Sequence, residues 1–557
     1  MDFVQQGSRP KVNMGRMIGR TFKKGGYIIQ ADAVRALQNV LKNEDDPKAS
    51  LDLVLQTMTR KLDNGTAISG NIISVDLIMH VVAELTRDVD DITGDSLQVI
   101  SAFDSPIVKY DGVNKSFYFG VRKDCKGLFG GAEAKVTMFR DRLELIRQRL
   151  ERNKDFAAPT LNTSASSRDK AYVELSTLDS LVGITGHRNL LGMITQRDEG
   201  HYWLEDLNGS VRMDLSNCKK ISGGLFTEGC VVVASGTVHE DVFYVEAMGF
   251  PPPEDRMKTL QNMQTLDITR LTGYSPQEET EMLKMEQAAE DAQFVVFSDV
   301  HLDNPTVMQK LKAVFLGYET FGARPELFIF MGNFTSRPFG QGKDDGAWYR
   351  SLFDELGDLI ASFDSFKRYS KFVFVPGPTD PGSGNVLPRH RIPKYFTKGI
   401  EEKVSYYAND PDGSRSNRKV SNVFFTSNPC RIRYYTQEIV ISRQNILNKM
   451  RRNCVVPPAN DSVDAADGVA QHLVKTLMDQ SHLCPLPLSV QPVYWNYDNA
   501  LRLYPLPDML ILGDYYDQFL YNYEKCAVMN PGSFPTDFSF VVYRPAQKVT
   551  EFSRCNA

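Results

Sequence analysis

No two of the eight cysteines form a C-x-x-C pair; they are scattered from Cys125 to Cys555. That spacing excludes a local zinc knuckle and a secreted disulfide framework, and it points to a reducing compartment, cytosol or nucleus. No stretch approaches about 18 consecutive apolar residues, so no membrane span is expected. The opening Met1-Asp2-Phe3-Val4-Gln5-Gln6 lacks the apolar core of a signal peptide. There is no long Lys/Arg run, and the net charge is −5. The chain as a whole is therefore not a polyanion binder, and contact with nucleic acid would need a local basic patch. Gly127, Gly130 and Gly131 do not make a phosphate loop, because no strand precedes them and no Gly-Lys-Ser/Thr follows.

What remains is ordinary globular composition, 42% hydrophobic and 24% charged over 557 residues, enough for two to four domains. Residues 14–90 read as a small helical bundle. Val34, Leu37, Val40 and Leu41 recur at helical spacing, as do Leu51, Val54, Leu55, Met58 and Leu62, then Leu77, Ile78, Val81, Val82 and Leu85. A short extended region over 97–120 leads to a charged helix over 138–150, with Phe139, Leu143, Ile146 and Leu150 on one face. The Ser/Thr/Ala-rich stretch 157–170 is a linker. From 172 to 250 the pattern turns to about five short strands, with an Asn208-Gly209 hairpin signal between two apolar runs. Five strands in so short a span suit an OB-fold barrel. Tyr202, Trp203, Phe243 and Tyr244 could stack bases there, but no Lys/Arg is interleaved with them, so packing is the expectation. Pro251-Pro252-Pro253 ends the barrel, and an acidic helical stretch over 277–291 leads to the last domain.

That domain carries buried-strand runs, each ending in polar residues. Phe294-Val295-Val296-Phe297 precedes Ser298-Asp299-Val300-His301, and Leu327-Phe328-Ile329-Phe330-Met331 precedes Gly332-Asn333. Phe372-Val373-Phe374-Val375 precedes Pro376-Gly377, and Met509-Leu510-Ile511-Leu512 precedes Gly513-Asp514. Apolar strands with chemistry-bearing residues at their carboxyl ends predict a two-layer α/β sheet domain, an enzyme or the descendant of one.

Asp-x-His directly after a buried strand resembles the opening motif of calcineurin-like metallophosphoesterases, and the order of the later strand ends is similar. Those enzymes hold two metals about 3.5–4 Å apart, bridged by a carboxylate and completed by imidazoles and an amide oxygen. Here Asp299 and His301 stand in place, but the bridging aspartate position is Asn333. Pro378 replaces the ligating Asn and Thr379 the catalytic His. The last motif, Gly513-Asp514-Tyr515-Tyr516, has Asp514 and Tyr516 where the family has histidines. Two remaining ligands cannot hold a metal pair, so the expectation is an inactivated site with no cofactor. Asp299, His301 and Asp303 then form a polar loop whose side chains cap turns or bond one another; a single adventitious metal is the alternative.

A barrel joined to an inactivated phosphoesterase domain resembles the B subunits of eukaryotic replicative DNA polymerases. Phe374-Val375-Pro376-Gly377-Pro378 and the run from Ser427-Asn428-Pro429-Cys430 to Glu438-Ile439 look like the epsilon branch. So do Pro492-Val493-Tyr494-Trp495 and Asn530-Pro531-Gly532-Ser533-Phe534-Pro535. The segments 396–419 and 459–468 look like variable loops. The resemblance implies residues 1–92 as a helical domain like the lid of AAA+ ATPases, 93–170 as a connector with a helix, and 171–252 as an OB-fold. It further implies 253–291 as a linker helix and 292–557 as the inactivated phosphoesterase-like domain. It also implies a nuclear, non-catalytic scaffold that grips the cysteine-rich C-terminal region of the epsilon catalytic subunit. Its N-terminal domain would contact GINS and the replicative helicase, with the small histone-fold subunits reached only indirectly and any DNA contact weak or indirect. The competing readings are an active phosphoesterase or exonuclease, an independent single-strand binder acting through the barrel and, within the class, the alpha and delta B subunits, against which the quoted strings argue.

Overall fold

The computed structural model describes residues 14–41, 48, 51, 54–55, 58, 72–73, 78, 96–120, 127–157, 172–181, 183–263, 276–382, 384–409, 415–457 and 467–555. The chain divides into two compact units, Met1–Ser96 and Leu97–Ala557.

In the first unit, helices α1 (Met14–Lys24) and α2 (Ala31–Leu41) flank strand β1 (Ile28–Ile29), which pairs in parallel with β2 (Ile72–Ile73). Ile18 and Phe22 of α1 share a buried cluster with Leu37 and Leu41 of α2, and with Leu51, Val54, Met58, Ile73 and Ile78. The 3.6-residue spacing of α2 is what puts its leucines on that face. The other helices expected over 51–62 and 77–85 lie largely outside the described residues. A purely helical bundle does not cover the parallel strand pair, which two isolated Ile-Ile dipeptides are too short to announce.

The second unit opens with strand β3 (Leu97–Ser101), the hairpin β4 (Ile107–Asp111) and β5 (Ser116–Gly120), and helix α3 (Ala132–Leu150). The barrel follows: β6 (Gly186–Asp198), β7 (His201–Glu205), β8 (Ser210–Asp214), β9 (Lys220–Ile221), β10 (Phe226–Thr227), β11 (Val231–His239) and β12 (Val242–Gly249). Its five long strands close in the order β11-β6-β7-β8-β12, with β12 returning to β11 and running parallel to β8. That connectivity is a Greek-key OB barrel. Closure needs a bulge between Ser235 and Gly236, where a Cβ on Gly236 would sit 2.1 Å from the Tyr244 carbonyl oxygen. Helix α3 packs Leu143 and Ile146 on Met193 and Val231 of the barrel, while Leu145 on its other side meets Tyr504 and Met263.

After α4 (Arg256–Met263) and α5 (Pro276–Ala288), two six-stranded sheets form. The first is built from β13 (Phe294–Ser298), β14 (Leu327–Met331) and β15 (Lys371–Val375), with α6 (Pro305–Thr320), α7 (Asp345–Ala361), α8 (Asp364–Tyr369) and α9 (Lys394–Lys403). A separate hairpin, β16 (Tyr406–Asn409) and β17 (Arg415–Val420), precedes β18 (Val423–Phe425). The second sheet uses β19 (Cys430–Tyr434) and β20 (Gln437–Arg443). Next come α10 (Ile446–Arg452), β21 (Cys454–Val456), α11 (Asp467–Asp479), β22 (Met509–Gly513), β23 (Phe519–Tyr523) and β24 (Cys526–Asn530). Finally α12 (Phe534–Asp537) leads to β25 (Ser539–Arg544) and β26 (Val549–Arg554), which return to the first sheet. The strand orders are β18-β15-β14-β13-β25-β26 and β23-β24-β22-β20-β19-β3.

The two sheets pack face to face through Phe294, Val296, Ile329, Val373, Ile441 and Ile511. Their outer faces are covered by α6–α9 through Phe297, Phe330 and Phe374, and by α10 and α11 through Val440, Leu510 and Val528. The expectation of a two-layer domain is therefore corrected to four layers, helix–sheet–sheet–helix. A run of consecutive apolar residues says that both faces of a strand are buried, but not that a second sheet buries one of them. The segment 396–419 is not all loop either: α9 occupies its start, with Phe396 and Ile400 one turn apart and buried. Strand β3, from the segment read as a connector, is an edge strand of the second sheet, antiparallel to β19.

The barrel is bonded to this sandwich directly. β10 pairs with β21. The Gln480 side chain donates to Val231 O (2.8 Å) and accepts from Val231 N (2.7 Å), and Leu225 N donates to Thr476 Oγ1 (2.8 Å).

Candidate functional site

The polar strand ends named by the sequence converge at the carboxyl edge of the two sheets. Asp299 follows β13 with φ +57, the left-handed region, and is buried. Its Oδ1 accepts from Asn333 N (2.9 Å) and Asn333 Nδ2 (3.4 Å), so Asn333 after β14 is bonded directly to it. Asn333 Oδ1 in turn accepts from Thr379 N (3.0 Å), which brings the third loop into the same cluster. Pro378 contributes only its carbonyl, to Arg389 Nη2 at 2.7 Å.

The fourth loop goes elsewhere. Asp514 Oδ2 accepts from Ile446 N (2.7 Å) and Leu447 N (2.8 Å), so its carboxylate ties down the first turn of α10. Burial raises its pKa. Tyr516 packs against the cluster beneath α10 and α11, while Tyr515 is exposed. His301 is half-buried, and that burial holds its imidazole below the ordinary value. Asp303 accepts from Ser336 N (2.9 Å) and Ser336 Oγ (2.5 Å), bonding the first loop to the second.

Three participants, Asp380, Tyr349 and Arg443, had no role assigned from the sequence. Asp380 accepts from Phe334 N (2.8 Å), Gly377 N (2.7 Å) and Tyr349 OH (3.1 Å), and burial pushes its carboxyl up to about 6. The third is Arg443, at the end of β20 and 1% exposed in its side chain. Its Nη2 donates to Asp299 Oδ1 (2.6 Å) and its Nη1 to Gly513 O (2.8 Å) and Asn445 Oδ1 (2.8 Å); its Nε donates to Gly332 O. Gly513 has to be glycine for this side chain to pass, since a Cβ there would lie 2.6 Å from Arg443 Cδ. The signal was present in Ile439-Val440-Ile441-Ser442-Arg443, another apolar run ending in a charged residue at the same sheet edge.

A metal pair would have to sit against Asp299 and the ends of β14, β20 and β22. The guanidinium of Arg443 sets a fixed positive charge at that edge and occupies Asp299 Oδ1 and the oxygens of Gly332, Gly513 and Asn445. These residues do not fit a metal pair. Among the described residues, no three His, Cys, Asp or Glu side chains converge in a way that could hold a metal.

On the barrel, Phe243 is in the core and Tyr244 is exposed. Trp203 is half-buried, opposite Arg212 across β7 and β8, with the Arg197 guanidinium 5.6 Å from its ring. Cations do therefore neighbour Trp203, contrary to the linear reading, because strand pairing joins residues nine apart. Both are engaged locally: Arg197 with Ser210 Oγ (2.8 Å) and, more loosely, Glu205 (3.9 Å), and Arg212 with His201 Nδ1 (3.0 Å).

Comparison with known proteins agrees with the strand-end pattern and the barrel. The family described as the B subunit of DNA polymerase alpha/epsilon matches residues 294–520, and the DNA polymerase epsilon subunit 2-like OB-fold domain matches residues 132–252. The second match begins at α3, so the family's unit includes the helix. The DNA polymerase epsilon B subunit of Arabidopsis thaliana is 36% identical over 97% of this chain and 98% of its own. DNA polymerase epsilon subunit 2 of Homo sapiens is 35% identical over 96% and 97%, and the B subunit of Saccharomyces cerevisiae is 29% identical over 82% and 75%. A solved archaeal phosphodiesterase aligns with 47% of this chain at 10% identity and a TM-score of 0.20, a likeness too slight to carry an argument. On identity that high over nearly its whole length, the chain belongs to the family of DNA polymerase epsilon B subunits.

Proposed function

We propose that the chain is a non-catalytic scaffold of the nuclear leading-strand polymerase. The barrel and the four-layer sandwich grip the cysteine-rich C-terminal region of the catalytic subunit. The N-terminal unit, residues 1–92, tethers the enzyme to GINS and the replicative helicase. The small histone-fold subunits are reached only through the catalytic subunit, and DNA is touched weakly or indirectly. The observation that carries this reading is similarity to epsilon B subunits along 97% of the chain. The guanidinium on Asp299 supports the non-catalytic part, since it occupies Asp299 Oδ1 with a fixed positive charge. The separate clustering of Met1–Ser96 supports the division of labour between the two ends.

Two experiments test it. The purified chain should turn over no phosphodiester, phosphomonoester or DNA end with Mn²⁺, Mg²⁺ or Zn²⁺. Turnover that disappears in Asp299→Ala would overturn the non-catalytic reading, and the variant separates real activity from a contaminating nuclease. Deleting residues 1–92 should leave co-precipitation of the catalytic subunit unchanged and abolish that of the helicase. Loss of the catalytic subunit, or retention of the helicase, would show that the two ends are not divided in this way.

A further inference from the structure

The geometry assigns Arg443 the part of a built-in cation: it supplies, from within the chain, the positive charge that an all-oxygen cage at the sheet edge requires. Four oxygens surround its guanidinium, one from a carboxylate (Asp299 Oδ1), one from a side-chain amide (Asn445 Oδ1) and two from backbone carbonyls (Gly332 and Gly513). Acceptors of that kind, all oxygen and one of them anionic, are the donor set that hard divalent cations take. In a site this buried, an uncompensated carboxylate aimed at two carbonyl dipoles would be strongly unfavourable. The fixed fork of the guanidinium meets the four oxygens with four of its bonds, which a single ammonium could not do in the same plane.

The placement of Arg443 is itself prepared. Asn428 accepts from Arg443 N (3.0 Å) and donates to Arg443 O (2.6 Å), clamping its backbone at the end of β20. The missing Cβ of Gly513 clears the path for the side chain, and 1% exposure seals it from solvent. The cage therefore asks for a cation and does not ask for a metal in particular. Removing the arginine should open a site for hard divalent cations such as Mn²⁺. This deepens the non-catalytic reading, on which it rests for the absence of a working metal pair.

The test is thermal unfolding of the full chain as wild type, Arg443→Met, Asp299→Asn and the double variant, with Arg443→Ala measured with and without millimolar MnCl₂. Each single variant leaves a buried charge or dipole set without its partner and should lower Tm by roughly 3–5 °C. The double variant removes both sides and should lose less than the sum of the singles. Mn²⁺ should restore part of the loss in Arg443→Ala and leave the wild type unmoved. If the single variants do not fold, a soluble double variant supports the inference, and a double variant no better than Arg443→Met overturns it. Additive losses, or an Arg443→Ala variant that Mn²⁺ does not stabilise, also overturn it while leaving the scaffold reading intact. Metal-dependent turnover by the wild type would instead remove the reading beneath it.

Discussion

Asp498→Ala is expected to destabilise the chain by on the order of 3–5 kcal/mol, because it leaves buried arginine without its anion. Asp498 is 2% exposed, and its Oδ1 accepts from Arg142 Nη2 (2.5 Å) and Nε (3.1 Å) and from His482 Nε2 (3.1 Å). Its Oδ2 lies 3.7 Å from Arg502 Nε. Burial works to raise its carboxyl, but Arg142, together with the hydrogen bond from His482, holds it far below the ordinary carboxylate range. Arg142 belongs to α3, so this one carboxylate fixes the helix that packs on the barrel to the sandwich. Two more arginines of the same stretch repeat the theme. Arg149 donates to Ser481 Oγ (2.6 Å) and Pro251 O (3.0 Å), and Arg152 Nη2 to Glu254 (2.7 Å). The measurement is the urea midpoint at unchanged m-value, since m reports the surface exposed on unfolding. A loss below about 1 kcal/mol, the range of exposed pairs, would mean that the network does not hold α3 in place.

Much of this arrangement could be read along the chain, and the part that could not was non-local. The hairpin at Asn208-Gly209 is where it was expected, and Asp206 Oδ1 organises it by accepting from Asn208 N (2.7 Å) and Gly209 N (2.8 Å). The strand ends at Asp299, Asn333 and Thr379 were legible because a buried apolar run followed by polar residues marks a sheet's carboxyl edge. Pairing across hundreds of residues leaves no such local mark. Nothing in Leu97-Gln98-Val99-Ile100-Ser101 announces that it lies against Cys430–Tyr434. Arg142 and Asp498 are likewise invisible to each other in one dimension, and so are Arg443 and Asp299. Sequence spacing reveals faces of helices and strands, whereas buried charge pairs are set by tertiary packing. That is why the strand ends were apparent and the pairing of Arg443 with Asp299 was not.

The cluster around Asp498 also dictates a pH dependence, and its sign follows from His482. Its Nε2 donates to Asp498 and its Nδ1 accepts from Cys484 N at 3.0 Å, an arrangement open only to the neutral ring. A second proton would set an N–H against the Cys484 N–H. Burial, reinforced by Arg142, holds the imidazole down at about 4, from an ordinary 6.5. The folded state therefore binds fewer protons at this site than the unfolded chain between those values. Stability from His482 is complete above about pH 6.5 and is lost as pH falls toward 4. Between pH 7.5 and 5 the loss should be about 2 kcal/mol. Asp380 works the other way: its carboxyl is raised to about 6, so protonation near that pH favours the folded state and flattens the total profile. The half-buried His301, His390 and His472, each lowered by burial, add to the trend of His482. A comparison with His482→Gln isolates the term, because a glutamine amide can donate to Asp498 and accept from Cys484 N without titrating. Wild type minus variant should show stability falling with acidity from pH 6.5 downward. A flat difference between pH 7.5 and 5 would mean that His482 titrates alike in the folded and unfolded chains, and a difference that rises with acidity would mean that the folded chain holds the proton and the cluster is built around a cation pair.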